Sequence, residues 1–341
     1  MIKFNSDYME GAHPRILQRL AEINYDKISG YGLDCYCDMA REKILGACEA
    51  PDARVNFLVG GTQTNAIVID SILRHNEGVV SPATGHICTH EAGAIEACGH
   101  KVLPVACKEG KISAQALDRY LNEVTSEECG MEHVVEPRMV YISNPTEYGT
   151  IYKYSELCEI RKVCNKYELM LYVDGARLGY ALAAPDNDVT LPDLARLCDV
   201  FYIGGTKVGA LFGEAVVILN KDIKMSRGLI KNRGALLAKG WLLGVQFDTL
   251  FTDNLYVEIA KNGVDQAMRL RKAIEEKGYP IYLESTTNQQ FVVLEDSKTA
   301  ELAKCVGFNV IEKIDANHSV VRFVTSWATT DEQVDALISC L

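Results

Sequence analysis

The sequence predicts an α/β protein, with a mostly parallel central sheet covered by helices and a smaller α+β unit at the C-terminus. Three observations predict it. Short apolar runs alternate with helical stretches, the pattern of a parallel sheet under helices. The 341 residues exceed one ordinary core, which favours two units. The chain then ends on a strand, helix, strand, helix series of its own.

The elements follow in order. Strands are expected at Val55–Val59, Val102–Val105, Arg138–Ile142, Leu169–Val173, Val200–Ile203 and Ala215–Leu219, each a short apolar run between turn residues. Helices are expected near Gln63–His75, Ser113–Val124, Ser155–Tyr167 and Leu191–Leu197. A helix-rich stretch begins near Ala235. Gln290–Leu294 and Ser319–Val324 then read as strands, Lys298–Val306 and Asp331–Leu341 as helices. The large unit is placed at residues 1–245, with an N-terminal arm, and the small unit at 246–341.

Composition narrows the function. Hydrophobic residues make up 48% and charged residues 24%, a globular balance. A formal net charge of −11 argues against a nucleic-acid partner. The opening MIKFNSDYMEGAHPRI lacks an apolar signal region, and no apolar run is long enough for a bilayer, so a cytoplasmic protein without membrane contact is expected. The twelve cysteines include no paired C-x-x-C, so no metal site is expected and the thiols read as reduced and mostly buried.

Chemistry enters with Leu171-Tyr172-Val173-Asp174-Gly175-Ala176-Arg177, an apolar strand running into a carboxylate. Ligands of open α/β sheets bind at that edge, although a turn aspartate would look the same in isolation. A second piece decides it. Asp199-Val200-Phe201-Tyr202-Ile203-Gly204-Gly205-Thr206-Lys207 delivers one lysine after an apolar strand and small residues. An ammonium is costly to bury, and Schiff-base chemistry gives a reason to place it there, since the amine must become neutral to attack an aldehyde. Pyridoxal phosphate (PLP) needs this pair, a lysine for its aldehyde and a carboxylate for its pyridinium nitrogen. The third piece, Gly60-Gly61-Thr62, lies between a strand and a helix and offers backbone N–H groups to a phosphate. It lacks G-x-G-x-x-G spacing, which counts against a nicotinamide dehydrogenase.

In this order the three pieces resemble the PLP-dependent threonine aldolase and β-eliminating lyase family, of the aspartate-aminotransferase-like fold (fold type I). Asn5-Ser6-Asp7, Tyr31-Gly32 with Asp34, Gly85-His86 with Glu91-Ala92-Gly93, and Ser319-Val320-Val321-Arg322-Phe323-Val324-Thr325 extend the likeness over essentially the whole chain. The resemblance implies that Lys207 is the Schiff-base lysine, that Asp174 pairs with the pyridine nitrogen and that Arg177 lies beside the ring hydroxyl, near the substrate. It implies that His86 stacks on the ring, that Gly60, Gly61 and Thr62 hold the phosphate, and that Arg322 clamps the substrate carboxylate with Ser6. A guanidinium fork suits that last task.

Two departures stand out. Family members often carry a histidine in the loop after the Arg138–Ile142 strand, and here Glu147 occupies the place. The phosphate-binding arginine of a neighbouring subunit has no clean match, and Lys231 and Arg233 are candidates by position. The expected reaction is retro-aldol cleavage of a β-hydroxy-α-amino acid to glycine and an aldehyde, with His86 or Glu147 as the base. One alternative is β-elimination from an amino acid with Lys207 as base; another is a non-catalytic small-molecule binding protein. The family also implies a homodimer or homotetramer whose sites are shared, with Tyr31 reaching a neighbour's substrate.

Overall fold

The computed structural model describes residues 1–126 and 133–341, so Cys129 lies outside the described residues. In chain order its strands are β1 (Ile2–Lys3), β2 (Arg54–Leu58), β3 (Glu77–Pro82), β4 (Lys101–Val105), β5 (Glu136–Ser143), β6 (Met170–Asp174), β7 (Val200–Gly204), β8 (Glu214–Ile218), β9 (Gln289–Glu295), β10 (Val306–Gly307), β11 (Asn309–Lys313) and β12 (His318–Val324). Seven of them form the central sheet in the order β2-β8-β7-β6-β5-β3-β4. β8 pairs antiparallel with both β2 and β7, while β3, β4, β5, β6 and β7 pair in parallel. The expected α/β fold with a mostly parallel sheet is therefore what the chain adopts.

The sheet is buried on both faces, which is why its strands read as continuous apolar runs. Side chains alternate along each strand. Val140, Ile142, Leu171, Val173, Phe201 and Ile203 join one core, which includes Leu117, Leu157 and Ile160 of the helices Ala114–Val124 and Tyr154–Lys166. Met139, Tyr141, Tyr172 and Tyr202 join the opposite core with Ile67 and Val68 of the helix Gly61–Asp70. A second sheet, β11-β12-β9, is antiparallel and covers a third core with Leu270, Leu302 and Val334.

Several details differ from the sequence reading. Residue 245 falls inside the helix Trp241–Leu250. The N-terminal arm binds the C-terminal unit, since β1 pairs with β10 and Phe4 enters the third core. The helix expected at Lys298–Val306 is Asp296–Leu302, because the chain turns there to form β10. Of the described cysteines only Cys37, Cys48, Cys164 and Cys198 are buried, so the thiols are less buried than expected. No helix among the described residues is long and apolar enough to cross a membrane.

Because β2, β3, β5, β6 and β7 run the same way, their carboxyl ends share one edge. Gly60, His86, Ser143, Asp174 and Lys207 all end or follow these strands. The reversed strand β8 begins at the same edge with Glu214, opposite Gly204.

Candidate active site

Asp174, the last residue of β6, is buried. Its carboxylate accepts from the Tyr141 hydroxyl at 2.6 Å, the Asn65 amide at 3.1 Å and the Ala176 backbone N–H at 3.0 Å. Burial opposes its charge, but the nearby His86 and the donors from Tyr141, Tyr202 and Ala176 prevail and hold its carboxyl below the ordinary range. A carboxylate kept ionised inside an apolar sheet has need of a cationic partner.

Lys207 follows β7 in a turn tied down from two sides. The Gly205 and Thr206 N–H groups donate to the Gly213 carbonyl at 2.9 and 3.2 Å. The Tyr180 hydroxyl donates to the Lys207 carbonyl at 2.7 Å. The turn is close to its neighbour, since a Cβ at Gly204 would lie 2.4 Å from the Ala176 carbonyl oxygen. Burial and the Arg177 charge push the lysine's pKa down, against the opposing pull of Asp7, Asp174 and Glu214. A lowered pKa brings the amine nearer the neutral form that attacks an aldehyde.

One cavity brings together Gly61, His86, Ser143, Glu147, Asp174, Arg177 and Lys207. His86 is oriented by Glu91, with Nδ1 and Oε1 2.8 Å apart, and Glu91 also accepts from Asn65 at 2.7 Å. Glu147 Oε1 accepts from the His86 backbone N–H at 2.9 Å and from the Ser143 hydroxyl at 2.7 Å. Desolvation raises the Glu147 pKa, against the lowering effect of the Ser143 hydrogen bond. Arg177 lines the cavity, but two of its nitrogens are held by Asp7, at 2.7 and 3.0 Å. Gly60 caps the helix Gly61–Asp70 without any side-chain hydrogen bond, which leaves backbone donors at the helix start. A Cβ at Gly61 would stand 3.3 Å from the Tyr202 hydroxyl. Thr62 is exposed beside it.

Arg322, on β12, lines an adjoining cavity with Glu147, His90, Tyr148 and Phe291. It donates to Gln289 Oε1 at 3.1 Å, and its buried Nε has no partner among the described residues. Ser6 is half-buried between two anchors, Asn5, bonded to the Phe308 carbonyl at 2.8 Å, and Asp7, bonded to Arg177. The remaining three expected residues lie apart from the cavity. Tyr31 is exposed with the Lys231 ammonium 4.9 Å above its ring. Arg233 donates to Asp70 at 2.6 Å in its own chain, and its buried Nε has no partner among the described residues.

The sequence reading missed several members. Asp7 and Glu91 stood in the quoted motifs without a role. Tyr141, Tyr172 and Tyr202 carried a signal, because a hydroxyl in the middle of a buried strand needs a partner. Glu214 carried the same signal in an apolar strand. It is buried, accepts from the Thr206 hydroxyl at 2.8 Å, and burial pushes its pKa up to about 8.

The residues present fit PLP. An amine with a lowered pKa, an ionised buried carboxylate, an imidazole and an uncapped helix start converge on one space. The chemistry of the donor set matches the cofactor's aldehyde, ring nitrogen, ring face and phosphate.

Comparison with known proteins agrees. A low specificity L-threonine aldolase of Pseudomonas aeruginosa is 26% identical over 339 residues, covering 98% of this chain and 95% of that protein. The solved threonine aldolase of Leishmania major is 44% identical with a TM-score of 0.96, covering 99% of this chain and 98% of that one. Serine palmitoyltransferase of Sphingomonas wittichii, at 14% identity and a TM-score of 0.73, shares the fold. The profile of the beta-eliminating lyase family matches residues 3–297, and the chain belongs to that family.

Proposed function

We propose that this protein is a PLP-dependent aldolase that cleaves a threonine-like β-hydroxy-α-amino acid to glycine and an aldehyde. The observation that carries it is the placement of Lys207 and Asp174 at one sheet edge, lining one cavity, with burial lowering the lysine's pKa and hydrogen-bond donors holding the carboxyl's low. The resemblance to threonine aldolases over nearly the full chain supports the reaction type.

Lys207 would hold the cofactor through its aldehyde, Asp174 would face the ring nitrogen, His86 the ring face, and Gly60, Gly61 and Thr62 the phosphate. The bound cofactor supplies an electron sink for the charge left on Cα when the Cα–Cβ bond breaks. Arg322 receives the substrate carboxylate, for its neighbour Arg177 is already neutralised by Asp7. Glu147 is the base that takes the β-hydroxyl proton. It lines both the cofactor cavity and the cavity of Arg322, so it faces the substrate from between them. Its raised pKa suits a carboxylate that must hold a proton during turnover. We infer a homo-oligomer, at least a dimer, as the working unit.

The test has two arms. Borohydride reduction of the PLP-loaded protein, followed by peptide mapping, should place the label on Lys207. A panel of β-hydroxy-α-amino acids should yield glycine and the matching aldehyde, and Lys207→Ala should lower turnover by roughly 10⁴-fold or more. Label on another lysine, or release of ammonia without glycine, would overturn the assignment.

A further inference from the structure

A run of hydrogen bonds surrounds the site, joined at His86 by the residue itself, whose backbone N–H meets Glu147 and whose ring meets Glu91. Tyr141 Oη donates to Asp174 at 2.6 Å and lies 3.2 Å from Ser143 Oγ. Ser143 donates to Glu147 at 2.7 Å, and the same Glu147 oxygen accepts the His86 N–H at 2.9 Å. His86, Glu91 and Asn65 lead back to Asp174.

Counting protons exposes one weak joint. Each hydroxyl has one proton to give. With both carboxylates ionised, Tyr141 spends its proton on Asp174 and Ser143 spends its own on Glu147. Their mutual contact then has two oxygens and no proton. Once Glu147 is protonated, its O–H can donate to Ser143, and the Ser143 proton can turn to Tyr141. Every link then carries a proton, and a Tyr141 hydroxyl that accepts one hydrogen bond donates more strongly to Asp174.

We propose that Ser143 is a positioning residue that couples Glu147 to Asp174, its single hydroxyl proton pointing to Glu147 when that carboxylate is ionised and to Tyr141 when Glu147 has taken the substrate proton. No atom is exchanged by Ser143; only its O–H rotates. The proposal rests on the reading of Glu147 as the base. Ser143 itself is buried at the end of β5, where neighbouring backbone fixes its direction.

Other charges also face Glu147. Asp174 and Arg177 approach from the end of β6 and Lys207 from the end of β7. His86, Cys88 and His90 approach from the segment after β3, and Arg322 from β12. Tyr141, Tyr148 and Tyr152 belong to its own segment. All but Tyr141 are retained in the variants below.

The experiment compares Ser143→Ala, Ser143→Thr, Tyr141→Phe and Glu147→Gln as holoenzymes. It reads the pH profile of kcat/KM for amino-acid cleavage and, apart from turnover, the pH titration of the bound cofactor's absorbance. Ser143→Ala removes the donor to ionised Glu147, so the acidic limb should move up by about one pH unit, a roughly tenfold loss below it. Ser143→Thr should restore the limb. Tyr141→Phe removes the acceptor that serves the protonated state, so the limb should move down instead. The absorbance titration should shift in the same two directions. Opposite shifts from adjacent side chains are not the result of general loosening. If Glu147→Gln abolishes turnover while Ser143→Ala and Tyr141→Phe leave both titrations where they were, the coupling is wrong and Glu147 remains the base. If Glu147→Gln keeps the wild-type rate and limb, the base assignment falls and the coupling falls with it.

Discussion

Two guanidinium groups line adjoining cavities, and their partners distinguish them. Arg177 is bonded through two nitrogens to Asp7, and Asn288 donates to the same carboxylate at 2.9 Å. Among the described residues Arg322 has only the neutral Gln289 as a hydrogen-bond partner and keeps a buried nitrogen unmatched. An unmatched buried donor is costly, and a substrate carboxylate would relieve it. Replacing Arg322 with lysine keeps the charge and loses the fork. We expect Arg322→Lys to raise KM by about tenfold or more, with a smaller change in kcat and in PLP affinity. Steady-state kinetics with saturating PLP would show it, and an unchanged KM would remove Arg322 from the clamp. Lys207, Asp174 and Arg322 were legible in the sequence because each has a chemistry that its strand does not otherwise need. The pairing of Asp7 with Arg177 was not legible. It depends on the N-terminal arm crossing to β10 before it enters the site, a contact between residues far apart in the chain.

At the scale of elements, the parallel strands were readable because burial on both faces writes an apolar run into each. β3 was not readable. Glu77-Gly78-Val79-Val80-Ser81-Pro82 has only two adjacent strand formers, yet every residue in it is buried between β4 and β5. Its neighbours make it a strand, which is tertiary context overriding local preference. The reversal of β8 was also hidden, since an apolar run carries no direction. Helix pairs tell a related story. The helices Cys35–Ala47 and Trp241–Leu250 meet so closely that a Cβ at Gly244 would lie 2.4 Å from the Cys37 backbone nitrogen. Backbone cannot yield as a flexible side chain can, so the helices must separate to admit a methyl group. We expect Gly244→Ala to destabilise the protein by about 1–3 kcal/mol, as overpacking does. Gly46, on the first helix, has open space around its added Cβ, and Gly46→Ala should be neutral or stabilising by up to about 1 kcal/mol. Denaturant midpoints of the two variants should therefore move in opposite directions or differ clearly; equal midpoints would mean that the close approach carries no energetic weight.

For the whole molecule, the question is where the phosphate of the cofactor finds positive charge. On the proposed function the cavity's own cations are spoken for, because Arg177 is paired with Asp7 and Lys207 would hold the aldehyde. On the same reading the phosphate would meet the backbone donors at Gly60 and Gly61, which carry only partial charge. Lys231 and Tyr31 sit together on the surface, with Tyr31 further held by an Arg227 hydrogen bond to its carbonyl at 3.0 Å. Apolar side chains next to functional segments are exposed as well, including Tyr8 beside Asp7, Leu33 beside Tyr31 and Leu211 after the Lys207 turn. Exposed apolar groups of this kind favour an interface. A twofold symmetric dimer would bring Tyr31 and Lys231 of each chain to the other's cofactor with a single kind of contact. Arg233 is already paired with Asp70 through one nitrogen, so Lys231 is the cation the mixing experiment tests. We expect subunits carrying Lys207→Ala, mixed one to one with subunits carrying Tyr31→Phe and Lys231→Ala, to recover activity that neither parent has. Random exchange would make half of the dimers mixed, each with one intact site, so the mixture should reach about a quarter of the wild-type rate. Sedimentation at the assay concentration accompanies the measurement: an active monomer, or dimers that exchange subunits without recovering activity, would confine the site to one chain.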